Sequence, residues 1–291
     1  MDKLLKCISP IDGSVYAERQ VSSYDDACTL VARARGAQKN WAMRPLAERI
    51  RLVQAGVARL IADADAITKE LAMMMGRPVR YGGEFGGVVE RADYMAQVAE
   101  NALMPLVAET SDNFERCIRR VPHGVVLVVA PWNYPYLTAI NTIVPALIAG
   151  NAVLLKHATQ TLLAGERLVN AFCQAGVPSD IFQNIFLTHD VTSQLIATRQ
   201  FNFVNFTGSV AGGQEIEKAA AGTFTTLGLE LGGKDPGYVA DDADVVAAAN
   251  TLTDAAMFNS GQCCCGIERI YVCEQHYDDL LSRMVALIKQ Y

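Results

Sequence analysis

The 291-residue sequence predicts an α/β fold with a doubly wound, Rossmann-like parallel sheet. Three observations lead to this prediction. The run Val125–Ala130 is continuously apolar and rich in valine, as expected of a parallel strand that is buried on both faces. Similar runs then alternate with helical patterns, which predicts parallel strands joined by right-handed crossovers. Polar residues follow several of these runs directly, and such sheets bind ligands at the carboxyl ends of their strands.

The N-terminal segment is predicted to begin with a short extended lead-in over residues 1–22, with a turn at Asp12-Gly13, and then to be mainly helical. A cluster of capping residues at 22–26 begins a helix that runs to about Lys39. Apolar residues at helical spacing predict one helix over 46–75 and another over 84–103. Residues 115–121 are predicted to form an extended edge piece that ends at Pro122.

The parallel sheet and a second, smaller unit are predicted to follow. The predicted strands of the sheet are 125–130, 152–155, 181–187 and 201–206. The predicted helices between and after them are a segment that follows Pro135, then 161–175, 191–199 and 209–221. After Leu231 a new unit is expected, with strands at 238–239 and 267–273, a helix over 245–258 and a last helix from His276.

Composition and charge exclude several classes of partner. The chain is 51% hydrophobic and 19% charged, and its net charge of −6 argues against nucleic acid and anionic membranes. No uncharged apolar run is long enough for a transmembrane helix, and the start lacks a secretory signal. The eight cysteines include no C-x-x-C pair and suggest no disulfide framework. We therefore expect a cytoplasmic protein that uses neither a membrane nor a nucleic acid.

Three adjacent cysteines, Cys263, Cys264 and Cys265, follow a Gly-Gln pair that can turn sharply. Adjacent cysteines are poor disulfide partners and poor joint zinc ligands, so we expect no metal site here. A turn that presents a thiol beside free backbone N–H groups is a good place for a nucleophile. The alternative is that these are three small buried hydrophobic residues.

Two stretches are candidate phosphate-binding sites. The stretch 228–234 formally fits G-x-x-x-x-G-K, but Asp235 stands where a P-loop needs Ser or Thr for Mg²⁺, so we reject it. The stretch 206–213 follows a strand and opens a helix, so its N–H groups and the helix dipole could receive a pyrophosphate. The alternative for this stretch is an ordinary Gly-Ser helix start.

Five motifs together resemble the aldehyde dehydrogenase superfamily. In chain order they are Pro131-Trp132-Asn133-Tyr134-Pro135, Leu155-Lys156, Phe206-Thr207-Gly208-Ser209 with Gly213, Leu229-Glu230-Leu231-Gly232-Gly233-Lys234, and Gly261-Gln262-Cys263-Cys264. The resemblance implies an NAD(P)-binding domain at residues 1–229 and an incomplete second α/β catalytic domain at 230–291. Since members of this family are much longer, the chain is expected to be truncated at its C-terminus.

The resemblance also implies a reaction and three catalytic residues. Cys264 matches the nucleophile, which attacks the aldehyde to form a thiohemiacetal that is oxidised to a thioester. Asn133 matches the side chain that stabilises the oxyanion together with the backbone N–H of Cys264. Glu230 matches the base that activates water for hydrolysis, and its Leu-Glu-Leu setting is expected to be apolar. From the residues alone, a surface carboxylate beside Lys234 is the favoured interpretation of Glu230, and Asn133 could be a turn cap before Pro135.

The cofactor implied by the resemblance is NAD or NADP. Lys156 matches the residue that binds the adenosine ribose, and Ser209 one that contacts the pyrophosphate. The other cofactor-binding positions implied in this way are Trp132, Thr159, Gly208, Gly213 and Leu231. Many NAD-preferring members have Glu where this chain has Thr159, so NADP is permitted here as well. His157 departs from the common Pro, with no evident effect at this level.

Two alternative functions remain. The chain could be a CoA-acylating aldehyde dehydrogenase, although a water-activating Glu230 favours hydrolysis. It could also be a non-catalytic nucleotide-binding fragment, because its second domain is expected to be incomplete. The full-length protein is expected to act on a small aldehyde and to form a homo-oligomer, since residues 113–122 resemble the oligomerisation strand of the family.

Overall fold

The computed structural model of the chain describes residues 4–111 and 113–291, which form two compact units, one ending at Glu230 and the other beginning at Leu231. The strands are β1 (Leu4–Ile8), β2 (Val15–Gln20), β3 (Leu106–Ser111), β4 (Phe114–Ile118), β5 (Val125–Ala130), β6 (Ala152–His157), β7 (Phe182–Asn184), β8 (Phe203–Gly208), β9 (Thr226–Leu231), β10 (Asp235–Val239) and β11 (Ile267–Val272). The helices are α1 (Tyr24–Ala42), α2 (Leu46–Ile61), α3 (Ala64–Met75), α4 (Phe85–Leu103), α5 (Leu137–Ile148), α6 (Leu162–Gln174), α7 (His189–Ala197), α8 (Val210–Ala220), α9 (Val245–Met257) and α10 (Glu274–Ile288). None of the helices in these described ranges is both long and apolar enough to cross a membrane.

A five-stranded sheet with the order β7-β6-β5-β8-β9 forms the centre of the first unit. The pairs β7–β6, β6–β5 and β5–β8 are all parallel. Strand order runs outward from β5 in both directions, so β5 and β8 flank the point at which the order reverses. This order confirms the predicted doubly wound α/β fold, and ligands bind at such a reversal point.

The core of the first unit follows from the apolar strands of this sheet. Every residue of β5 and β6 is buried, because helices α1, α5 and α6 pack against these two strands. Helix α1 begins at a capping box, as the capping cluster predicts: Oγ of Ser23 accepts from the N–H of Asp26, and a carboxylate oxygen of Asp26 accepts from the N–H of Ser23. Such a box satisfies backbone N–H groups that the first helical turn leaves without partners.

The single helix predicted over residues 46–75 is wrong, because the chain forms α2 and α3 with a break between them. Asp63 leaves the helical conformation, with φ −100° and ψ 14°. Its N–H donates to the carbonyl of Leu60, and its own carbonyl accepts the first bond of α3 from the N–H of Ile67. Asp favours such helix starts over helix interiors, and the apolar periodicity continues across the break because Leu60 and Ile67 are both buried.

Two further strands, β3 and β9, are absent from the prediction. Strand β3 pairs antiparallel with β4, so the predicted edge piece at 115–121 is part of a hairpin. Strand β9 is an edge strand of the central sheet, beside β8. Its sequence, TLGLEL, alternates apolar and small or polar residues, and Leu227 and Leu229 pack against the core. That alternation is the period-two signal that would have identified β9.

The second unit contains a parallel pair, β10 and β11, packed with α9 and α10. Its small core is centred on Val239, Ala249 and Leu280. Asp244 caps α9, since its carboxylate accepts from the N–H groups of Val246 and Ala247 at 2.8 and 3.1 Å. The functional assignment of residues 1–229 and 230–291 to two domains stays a prediction.

Candidate functional site

Lys156 lies near the carboxyl end of β6, opposite Val129 of β5. It lines a cavity of about 240 Å³ together with Thr159, which begins a short 3₁₀ turn after the strand. Two of the residues that the resemblance assigns to the cofactor therefore line one cavity. Leu5 and Leu187 form the apolar part of the same lining.

The Lys156 side chain is buried, with an exposed fraction of 5%. Its ammonium donates a long hydrogen bond of 3.5 Å to the carbonyl of His157 and forms no ion pair with any described carboxylate. Burial lowers the pKa of Lys156, because desolvation penalises the charged form. A buried cation that lines a cavity and forms no ion pair with a described carboxylate is suited to an anionic or hydroxyl-bearing ligand.

Three polar residues of the cavity were not singled out from the sequence. Thr188, His189 and Asp190 open helix α7, and Oγ1 of Thr188 caps it by accepting from the N–H of Val191 at 3.2 Å. The charge of Lys156, and then burial, lower the pKa of His189. The rule that ligands lie at the carboxyl ends of parallel strands would have found these residues, because they follow the predicted strand 181–187.

Ser209 is the N-cap of α8, and its Oγ accepts from the N–H of Gly212 at 3.1 Å. The ordinary helix start that was the alternative for this stretch is thus present, and it also directs the helix N-terminus towards the carboxyl end of β8. A Cβ at Gly208 or at Gly212 would lie 2.6 Å from Cζ of Phe206, so a larger residue at either position would displace that ring. Gly213 is buried within α8.

Trp132 and Asn133 lie in the loop that connects β5 to α5, next to the reversal point of the sheet. Trp132 is exposed, and Asn133 is half-buried. Oδ1 of Asn133 accepts from the N–H of Tyr134 at 3.1 Å, which fixes the side-chain amide with its nitrogen on the opposite side. An amide held in this way can serve as a hydrogen-bond donor to a ligand.

Glu230 and Leu231 are the last two residues of β9. Both are exposed, so the apolar setting expected for Glu230 is not found in the described structure. The reason is the alternation of side chains along a strand: Leu229 and Leu231 project to the face opposite that of Glu230. The sequence neighbours of Glu230 therefore do not form its surroundings.

Cys264 lies in a tight turn between α9 and β11, in which the N–H of Gly266 donates to the carbonyl of Cys263. Three consecutive residues before this turn have positive φ: Asn259 at 54°, Ser260 at 59° and Gly261 at 74°. The left-handed region is costly for residues other than glycine, and such strain concentrates at functional sites.

The strained segment is held by reciprocal hydrogen bonds. Nδ2 of the buried Asn259 donates to the carbonyl of Gln262, and Nε2 of Gln262 donates to the carbonyl of Asn259. The sharp turn expected at the Gly-Gln pair is thus formed, and Cys264 is exposed at its tip.

The thiols of the three adjacent cysteines differ in their surroundings. Sγ of Cys263 and Sγ of Cys265 lie 3.5 Å apart. This contact with Cys263, followed by burial and the neighbouring thiolates, raises the pKa of Cys265 to about 11. Cys264 and Cys265 are both exposed, but the raised pKa makes Cys265 poorly suited to act as a thiolate near neutral pH.

All of residues 1–291 match a family model described as the aldehyde dehydrogenase family. The D-glyceraldehyde dehydrogenase (NADP(+)) of Thermoplasma acidophilum is 31% identical over 286 residues, which cover 97% of this chain and 58% of that protein. The structure of NADP-dependent glyceraldehyde-3-phosphate dehydrogenase from Bacillus halodurans C-125, complexed with NADP, superposes with a TM-score of 0.90 at 30% identity. The match covers 99% of this chain and 62% of that one.

A NAD-dependent benzaldehyde dehydrogenase from Corynebacterium glutamicum is equally similar in structure. Its TM-score is 0.92 at 29% identity, and the match covers 99% of this chain and 64% of that one. The chain thus spans about three fifths of the length of these three relatives, and NADP-dependent and NAD-dependent proteins occur among them.

Proposed function

The chain belongs to the aldehyde dehydrogenase family, and on that basis we propose that the protein oxidises an aldehyde to a carboxylate with NAD⁺ or NADP⁺ as electron acceptor. The observation that carries this proposal is the buried Lys156, which lines a cavity with Thr159 and has no carboxylate partner among the described residues. An ammonium in that position fits the ribose or 2′-phosphate end of a dinucleotide.

The first unit supplies the groups that would hold the cofactor. Lys156 and Thr159 would bind the adenosine end, and the N-terminus of α8, capped by Ser209, would receive the pyrophosphate. His189 lines the same cavity and would add a donor for a 2′-phosphate. When bound, the oxidised nicotinamide supplies an acceptor for the hydride that leaves the substrate carbon.

The catalytic roles are assigned to three side chains. Cys264 would attack the aldehyde carbonyl as a thiolate, and the side-chain amide of Asn133 would donate to the oxyanion that develops. Glu230 would take a proton from water as that water attacks the thioester, which releases the carboxylate and the Cys264 thiol. Its exposure is compatible with access to water.

The relatives suggest which aldehydes to test. Two of them are named for glyceraldehyde or its phosphate, and one for benzaldehyde. We therefore infer a small aldehyde that is either polar or aromatic. The β3–β4 hairpin exposes Val107, Phe114 and Ile118, which favours a homo-oligomer formed through this surface.

An absorbance assay for reduced nicotinamide tests the proposal on the 291-residue chain. It uses D-glyceraldehyde, glyceraldehyde 3-phosphate and benzaldehyde, each with NAD⁺ and with NADP⁺, and includes Cys264→Ala as a control. Activity in the wild type alone supports an aldehyde dehydrogenase. Stimulation by coenzyme A would instead indicate the acylating reaction, and thermal stabilisation by a cofactor without turnover would indicate a nucleotide-binding protein only.

A further inference from the structure

The loop that carries Asn133 is held from one side by a buried ion pair. Nη1 of Arg77 donates to Oε1 of Glu84 at 2.9 Å, and both side chains are almost fully buried. Nη2 of the same guanidinium donates to the backbone carbonyl of Asn133 at 2.7 Å. The guanidinium carbon also lies 5.2 Å from the ring centre of Tyr134. One planar fork thus joins a buried carboxylate to the backbone of the candidate oxyanion residue.

Glu84 holds the far end of the same loop. Its Oε2 accepts from the N–H groups of Tyr136 and Leu137 at 3.0 and 2.7 Å, where helix α5 begins. These N–H groups have no partners within the helix, and a carboxylate at a helix N-terminus is favoured by the helix dipole. The Arg77–Glu84 pair therefore contacts the chain on both sides of Tyr134 and Pro135.

His157 also holds this loop, from the end of β6. It is the last residue of β6, directly after Lys156, and its ring is buried. Its Nε2 lies 3.0 Å from the carbonyl oxygen of Pro135, to which it donates. The ring therefore links the strand end that carries the buried Lys156 to the loop that carries Asn133.

Together these side chains form a hydrogen-bond network that fixes the backbone of the β5–α5 loop at several points. Burying an ion pair has a desolvation cost that an apolar pair would avoid, but an apolar pair could not form these hydrogen bonds to the loop backbone. The three side chains together engage the backbone of Asn133, Pro135, Tyr136 and Leu137.

We propose that Arg77, Glu84 and His157 are positioning residues, which hold the loop so that the side-chain amide of Asn133 is preorganised for the oxyanion. This inference rests on the function proposed above, because it assigns a support to the role of Asn133. Preorganised donors are effective because they need no reorganisation during the reaction, and a small misplacement is costly.

Arg77→Lys tests the inference while keeping the positive charge beside Glu84. A lysine has one nitrogen in place of the fork, so it cannot reproduce both bonds in the same plane. We expect kcat for aldehyde oxidation to fall by about tenfold, with less than a twofold change in the KM for the cofactor. Arg49→Lys is the matched control, because the buried Arg49 donates to Ile148 and Ala42 carbonyls near the other end of α5. An equal loss in the control would overturn the inference.

A double-mutant cycle separates positioning from general stability. If Arg77 acts through Asn133, then Arg77→Lys changes kcat by less than about twofold once Asn133 has been replaced by Ala. A tenfold loss that persists in the Asn133→Ala background would show that Arg77 acts elsewhere.

The two ring nitrogens of His157 make separate contacts, Nε2 with the carbonyl of Pro135 and Nδ1 with the N–H of Ala158, and two variants test them separately. The amide nitrogen of Gln reaches towards the position of Nε2, whereas Asn reaches only to that of Nδ1. His157→Gln should therefore keep kcat within about threefold of the wild type, and His157→Asn should lower it about tenfold. The reverse order, or equal losses, would contradict a role for the bond to Pro135.

Hydrogen exchange gives a readout that does not depend on turnover. In Arg77→Lys and His157→Asn, the backbone amides of residues 132–134 and 136–138 should exchange about tenfold faster than in the wild type, while Arg49→Lys leaves them protected. If the wild type shows no turnover, the proposed function fails, but the exchange result still decides whether the network holds the loop. Unchanged exchange in both variants would overturn the inference.

Discussion

The backbone N–H of Ala158 donates a 2.9 Å hydrogen bond to Nδ1 of His157. Because Nδ1 is an acceptor, the proton of the neutral ring resides on Nε2, which donates to the carbonyl of Pro135. Protonation of Nδ1 would give it an N–H that faces the N–H of Ala158, so two hydrogen-bond donors would meet in the buried interior. Burial, as the largest cause, lowers the pKa of His157 to about 4.

This pKa predicts a loss of stability in mild acid. Between about pH 4 and pH 6.5 the unfolded chain binds a proton at residue 157 that the folded protein does not. The free energy of unfolding therefore rises with pH in this window, and His157 makes the protein less stable at pH 4 than at pH 7 by about 3 kcal/mol. Urea unfolding at intervals between these pH values measures the slope.

The control for this pH dependence is His157→Gln, which cannot take up a proton. Carboxylates also titrate in this window, so only the difference between the two proteins reports on His157. The steeper slope should belong to the wild type. If the free energy of unfolding changed with pH equally in both proteins, the pKa of the buried His157 ring would not be lowered as its burial predicts.

Lys156→Met should stabilise the protein and weaken its cofactor binding at the same time. The substitution removes a buried charge that forms no ion pair with a described carboxylate, which should raise the free energy of unfolding by about 1–2 kcal/mol. It also removes a charge-assisted hydrogen bond to the ligand, so the Kd for the cofactor should rise by about 10–100-fold. Thermal unfolding and a fluorescence titration with reduced cofactor measure the two effects.

Lys218→Met is the matched control for this substitution. Lys218 is exposed and pairs with Glu215 on the surface of α8, where an ion pair contributes less than about 1 kcal/mol. This variant should show neither the gain in stability nor the loss of affinity. A destabilised Lys156→Met protein would contradict the account of an uncompensated buried charge.

Thr159→Glu should shift the cofactor preference towards NAD. A carboxylate at this position would enter the cavity lined by Lys156 and would repel a 2′-phosphate while accepting from ribose hydroxyls. We expect the ratio of kcat/KM for NADP⁺ to that for NAD⁺ to fall by at least about tenfold. Thr159→Gln, which has the same size without the charge, should change this ratio much less. If Thr159→Glu left the ratio of kcat/KM for NADP⁺ to that for NAD⁺ unchanged, the 2′-phosphate of NADP⁺ would not bind beside residue 159.

The sequence predicted the parts of the fold that depend on local apolar patterns. The continuous apolar run of β5 and the polar residues at strand ends were sufficient to place Lys156 at the carboxyl end of a sheet strand. The break at Asp63 was not predictable from periodicity, because the apolar stripe continues through it. The hydrogen bonds of Arg77 and His157 were not predictable either, since they join residues 56 and 22 positions apart.

Cys264 should be labelled by iodoacetamide well before Cys265 at pH 7.5. Both thiols are exposed, but the pKa of Cys265 of about 11 leaves it a thiolate fraction of only about 3 in ten thousand at this pH. Peptide mass spectrometry after short exposures measures both rates.

Cys264→Ala should abolish turnover, with a loss of at least about 10³-fold, and leave the Kd of the cofactor unchanged. Preferred labelling of Cys265, or full turnover in Cys264→Ala, would assign the nucleophile to a neighbour.

Glu230→Gln should separate the two halves of the reaction. The amide keeps the size of the side chain but cannot accept a proton from water, so hydrolysis of the thioester should slow by about 10²–10⁴-fold. Formation of the thioester does not need this proton transfer, so a single burst of reduced cofactor should remain. Intact-mass spectrometry after mixing with aldehyde and cofactor should then show one acyl group, located on Cys264.

Glu268→Gln provides the control for the loss of a carboxylate. Glu268 is an exposed residue of the second unit that pairs with Lys234, and no catalytic role is assigned to it. It should turn over like the wild type and accumulate no acyl-enzyme. If Glu230→Gln also turns over normally, Glu230 is a surface carboxylate and another base must activate the water. If it shows neither burst nor turnover, Glu230 is needed before the thioester forms, which would move its role to deprotonation of the Cys264 thiol.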